Sequence, residues 1–204
     1  MEKPIIYSKQ TIEFITVAAE FCAFLEETKN YNRSEFVDKI VKILPLLYLK
    51  ALLLPDTSEQ DIDDDIELIV TEEDYQYIRL NIQNILSDKD DYLEVFLSDI
   101  QYSDAPITSF ISEDLADIYQ DIKNFLSVFS HQYEPTMLNS LIVLNSNFKD
   151  YWSQKLVNVL RPLNTILFSD DSDDEFIEDN ENRNQSSNWL FDNQKDSELD
   201  GGQF

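Results

Sequence analysis

Glycine is missing from the first 200 residues of this 204-residue chain; its two glycines, Gly201 and Gly202, stand near the far end. Loops that cradle a phosphate or pyrophosphate need glycine where backbone N–H groups crowd the ligand, and tight two-residue hairpins need residues that accept positive φ. Neither can be built here in its usual form. Turns must rely on Asn, Asp, Ser and Pro, as at Asn30 to Ser34 and Asp104 to Pro106. The expected fold is all-α, a bundle of about six helices, several of them antiparallel.

Charge is the second constraint. Forty-one Asp and Glu against 15 Lys and Arg give a net −26, yet 43% of residues are apolar and 12% aromatic. That is enough to bury a core, unlike a disordered polyacid. A surface this acidic repels phosphate backbones and anionic headgroups, so direct nucleic-acid binding is not expected. The longest apolar stretch, Ile43 to Leu54, contains Pro45 and Lys50 and falls short of the roughly 20 residues a bilayer crossing takes. A single cysteine, Cys22, and an opening Met-Glu-Lys-Pro that leads into no apolar signal region point to a reducing cytoplasm.

Apolar spacing marks the helices. From Ser8, one row of Ile12, Ile15, Ala19 and Cys22 adjoins another of Phe14, Ala18, Phe21 and Leu25. Ser34 is placed to cap a second helix, whose latter half is apolar nearly all round and so predicts a central helix buried on several sides, kinked at Pro45 and ended by Pro55. Residues 56–74 hold ten acids and no base and read as a solvated acidic loop. Thr71 and Asp74 form a near capping box ahead of Tyr75, Ile78, Ile82 and Ile85. A short helix is expected from Asp90 to Ile100, with no strand of useful length anywhere. Leu115, Ile118, Ile122, Phe125 and Phe129 form a bundle seam, and a long helix opens near Pro135, with Trp152, Leu156, Val159 and Leu163 on its apolar side. The bundle domain is expected to span residues 1–168. The acidic tail, 169–204, carries −10 of the charge and reads as largely disordered, except around Phe176-Ile177 and Trp189-Leu190-Phe191, where apolar residues recur among charges.

Candidate sites are few. His131, the only histidine, is too little for histidine-rich metal sites, and Cys22 on an apolar stripe reads as a buried, inert thiol. Asp61, Asp63, Asp65, Glu67 and Glu72 follow the spacing of an EF-hand calcium loop, but Ile66 stands where the sharp turn calls for glycine. Glu113, Asp117 and Asp121, four apart, could hold Mg²⁺ for phosphoester chemistry or simply form the solvent face of their helix; Lys123 is the only base between Asp90 and Phe148. Gln154, Asn158 and Arg161 make a polar row suited either to a partner or to an interhelical network, with Arg161 able to reach the acidic loop.

The stretch Asn147 to Asn164, with Leu44-Pro45-Leu46-Leu47-Tyr48-Leu49-Lys50 and Trp189-Leu190-Phe191-Asp192, resembles an uncharacterised bacterial all-helical family known only as a domain of unknown function. The resemblance implies a small helical bundle and no established activity. Where that family usually has Gly, Ala and His, this chain has Ser153, Pro162 and Asn164, so no histidine chemistry carries over. No catalytic residue and no cofactor are assigned. The expected function is that of a non-enzymatic interaction or adaptor protein, its Gln154, Asn158, Arg161 row and Trp189 to Phe191 triplet meeting a protein partner with a basic surface. The alternative is a Mg²⁺-dependent nucleotide or phosphoester hydrolase built on clustered carboxylates.

Overall fold

The structure, a computed structural model, describes residues 4–58, 68–94, 107–130 and 133–169. The chain divides into a unit ending at Leu167 and a second from Phe168 onward; the acidic tail expected at 169–204 lies, beyond Ser169, outside the described residues.

The first unit is helical. After a 3₁₀ turn at Ile5–Tyr7, α1 spans Lys9–Glu26, with Ser8 Oγ accepting from the Thr11 N–H at its start. Of its two apolar rows the second wins the core: Phe14, Ala18, Phe21 and Leu25 are buried with Cys22, while Ile12 is exposed. A 3₁₀ turn at Thr28–Asn30 leads to α2, Arg33–Leu52. Its cap is Asn32 rather than Ser34. The Asn32 side chain accepts from the Glu35 N–H and Glu35 reaches back to the Asn32 N–H, a full capping box that Ser34, already inside the helix, cannot offer.

α2 packs antiparallel to α1, with Phe24 stacked on Phe36 near one end and Lys50 bonded to Glu13 near the other. Pro45 lies inside it. The expectation that the latter half of α2 is buried on several sides is corrected at its outer face. Phe36, Ile40, Leu44 and Leu47 are buried, but Leu46, Leu49, Leu52 and Leu53 are 44–56% exposed.

α3, Glu72–Leu86, opens on the capping box read from the sequence, Thr71 with Asp74. It ends at Ser87, whose φ of 51° is the one positive value among the described residues. The chain thus spends a serine where glycine is the unstrained choice. Arg33 ties the start of α2 to the end of α3 through the Ile85 carbonyl and Asp88.

A second correction follows. Asp91–Glu94 is not helical but a strand, β1, paired antiparallel with β2, Ile107–Phe110, in the register Asp91 to Phe110 and Glu94 to Ile107. The remainder of the expected helix lies outside the described residues. Buried Asp90 explains why a strand turns into a helix here. Its carboxylate takes the Ser112 N–H and hydroxyl, and its carbonyl takes the Ile111 N–H, satisfying the first donors of α4, Ile111–Ser130, at the helix end that favours negative charge.

The expected long C-terminal helix is present as α5, Glu134–Asn147, a π turn at Phe148–Trp152, and α6, Ser153–Leu167. The π turn brings Phe148 and Trp152 together, ring centroids 4.5 Å apart, against Tyr48 of α2. Trp152, Leu156, Val159 and Leu163 are buried on the predicted side. One core joins all six helices.

Candidate functional site

Two features stand apart from this framework, a polar cluster between helices and an open apolar face. The cluster is built on α4, where Asp114, Asp117 and Asp121 follow one another at intervals of three and four and so share a face. Lys155 of α6 donates to Asp114 Oδ1 at 2.6 Å and lies 2.8 Å from Asp117 Oδ2. Tyr92 of β1 donates to the other oxygen of Asp114. Tyr75 of α3 and Tyr151 of the π turn donate to the two oxygens of Asp117 at 3.0 and 2.7 Å. Asn147 donates to Asp121 Oδ1 at 3.1 Å, while Asp121 Oδ2 is buried with no hydrogen-bond partner among the described residues.

Burial sets the electrostatics. It raises the Asp114 carboxyl above its ordinary pKa, with Lys155 and Tyr92 offsetting only part of the effect. It pushes Asp121 up to about 6, and the charge of Asp117 adds to the rise. Burial alone would lower Lys155, but its hydrogen bonds to Asp114 and Asp117 outweigh that and raise it. The same burial, with Asp117 beside it, lifts Tyr151 to about 12, and burial next to Asp117 and Asp114 raises Tyr75 and Tyr92 as well. Lys155 is therefore held as a cation and the tyrosines as protonated donors, states that suit cross-linking of α3, β1, α4 and α6 better than proton abstraction.

Glu113, expected with Asp117 and Asp121, is exposed and makes no hydrogen bond or ion pair with the cluster among the described residues, though its charge adds to the rise of Tyr75. The cluster's cation is not Lys123 but Lys155, supplied by another helix. In the polar row, Gln154 donates to Asn158 at 2.8 Å, Asn158 to Glu94 at 2.9 Å, and Ser109 to the other oxygen of Glu94 at 2.8 Å, so two of the row's members connect α6 to the hairpin. Arg161 is exposed and makes no side-chain hydrogen bond or ion pair with the described residues.

Of the calcium-loop residues only Glu72 is described; it accepts from Gln76 within the first turn of α3, and Asp61, Asp63, Asp65 and Glu67 lie outside the described residues. So do His131 and the Trp189, Leu190 and Phe191 triplet. Among the described residues no three His, Cys, Asp or Glu side chains are placed to hold a metal ion. Cys22 is buried, and that burial pushes its thiol well above its ordinary value.

The apolar face lies on the outer side of α2. Leu46, Leu49 and Leu53 fall in one row at intervals of three and four, and Leu52 lies beside Leu49. Sequence pattern marked these leucines but assigned them to the interior.

The architecture is that of an all-α bundle with one short antiparallel hairpin set against it. The chain belongs to the family described as Domain of unknown function (DUF5063), which it matches over residues 5–169. It is similar to protein BF1032 from Bacteroides fragilis, whose crystal structure was determined as a structural genomics target. The two are 49% identical, the match covers 81% of this chain and 97% of that one, and the TM-score is 0.73. No curated protein matches it. No helix among the described residues is long and apolar enough to cross a membrane.

Proposed function

We propose that this protein is a cytoplasmic, non-enzymatic interaction protein that docks a partner bearing a basic surface with an apolar anchor. The observation that carries the reading is the face of α2: four leucines, each about half exposed, in adjacent helical rows of a chain that carries −26. Contiguous exposed apolar side chains cost solvation free energy, and on soluble proteins they mark contact surfaces more often than scattered single residues do. The net charge favours a basic partner over a second copy of this chain, which would bring another −26. The arrangement of the carboxylates favours this reading over a Mg²⁺-dependent hydrolase, since Asp114 and Asp117 already accept from Lys155 and three tyrosines.

The test is capture of binding proteins from native lysate at low and moderate salt, by the parent chain and by a Leu49→Asp, Leu53→Asp variant. Both positions are exposed, so the variant should keep the parent's helicity and cooperative melting. A partner held by the parent, released by added salt and absent from the variant is expected. The same set of proteins on both chains would defeat the proposal.

A further inference from the structure

A cleft of about 280 Å³ opens on a different side of the bundle, where the end of α1, the start of α3 and the middle of α4 meet. Its lining combines Glu26, Asp74, Lys123 and the rings of Tyr77 and Tyr119 with the apolar Ile69, Val70 and Ile78. The rim is held by α4: buried Asn124 accepts from the N–H groups of both Ile69 and Val70, at 2.9 and 3.0 Å, and so fixes the segment before α3. Lys123 and Tyr119 both donate to Glu26 Oε1, at 2.6 and 2.9 Å. Glu26 Oε2 accepts from none of the described residues.

Two carboxylates against one ammonium leave the lining of this cleft one positive charge short of balance. Among the lining residues the one cation, Lys123, is already paired with Glu26, so an anion entering the cleft would meet Glu26 and Asp74 with no unpaired lining cation to receive it. A cation meets the reverse situation, with two electron-rich rings beside it. One of these rings already has a cation near it, the Lys29 ammonium standing 6.0 Å from the Tyr77 centroid.

We propose that this cleft binds a small organic cation, an alkyl mono- or diamine, with its ammonium against Glu26 and Asp74 and its carbon chain against Tyr77, Val70 and Ile78. The small volume restricts it to a chain of a few carbons, near the lower end of ligand-pocket sizes. The site is remote from the leucine face in its lining and does not depend on it.

Titration calorimetry with 1,4-diaminobutane on the full chain, at roughly physiological salt where diffuse attraction is screened, tests this. Saturable binding at one site is expected, with no heat from uncharged 1,4-butanediol. Glu26→Gln, which keeps the side chain's shape, should weaken binding at least about tenfold, and Glu20→Gln, which removes the same charge from an exposed position of α1 outside the cleft, should leave it within about twofold. Should Glu26→Gln fail to fold, Tyr77→Leu at the half-exposed rim takes its place with the same expectation. Absence of saturable binding, or equal weakening by the Glu20 and Glu26 variants, would overturn the proposal in favour of diffuse attraction to an acidic chain.

Discussion

Asp121 lies one turn beyond Asp117 on the same face of α4, yet the two carboxylates meet different fates. Asp117 accepts from two tyrosines and lies beside Lys155; Asp121 has a single amide donor and a buried oxygen with no partner among the described residues. Desolvation then dominates, and its pKa rises from 3.8 to about 6. Between these two values the folded chain holds a proton that the unfolded chain has released, so folding stability falls as pH rises through that window. The full shift corresponds to at most about 3 kcal/mol, and less for the part of the group that water still screens. Asp121→Asn keeps an oxygen for Asn147 and removes the ionisation. The variant should match the parent near pH 4 and exceed it by about 1–2 kcal/mol at pH 7, read from urea midpoints across that range. A difference that stays flat with pH would show that Asp121 ionises in the folded state as it does in the unfolded one. Helical spacing placed Asp117 and Asp121 on one face from sequence alone. Lys155 could not be read the same way, because its partners are about 40 residues away and spacing reports neighbours only within an element.

At the scale of the element, α2 concentrates what local pattern can and cannot decide. Pro45 lies in its interior at an exposed position, where it removes the donor that would reach the Val41 carbonyl and crowds the preceding turn. Pro45→Ala restores that bond and should stabilise the protein by about 1–3 kcal/mol, measured as a rise in the urea midpoint at unchanged slope. No gain would mean that the backbone conformation set by Pro45 is needed for Tyr48 to meet Phe148. The existence of α2 was legible in its periodicity, and so were the Thr71 and Asp74 cap and the buried side of the C-terminal helix. Its orientation was not, because a helix apolar all round offers no polar face to assign to water. The hairpin was missed for a related reason. Each strand is four residues long, too short for alternation to register, and it is stabilised by its partner strand across residues 95–106 and by the buried Asp90 cap rather than by its own sequence.

Across the whole molecule, charge opposes compaction. Residues 1–168 carry −16, and some of the ion pairs that relieve this are exposed on both sides, such as Lys42 with Asp38 and Lys149 with Asp56. Exposed pairs of this kind contribute about 0–1 kcal/mol each and are weakened by salt. The half-buried pairs, Lys155 with Asp114 and Lys50 with Glu13, are screened much less. Added salt therefore removes more repulsion than attraction. Raising NaCl from about 50 to 500 mM shortens the Debye length from roughly 14 to 4 Å, below the spacing of most surface carboxylates on a bundle of this size. The melting temperature should rise by several degrees, since for a domain of this length about 1 kcal/mol corresponds to roughly 2–4 °C. The comparison belongs in NaCl rather than sulfate, because sulfate strengthens apolar burial by a separate route and would raise the transition regardless. A fall in NaCl would mean that the paired lysines, not the unpaired carboxylates, govern the electrostatic balance of the fold.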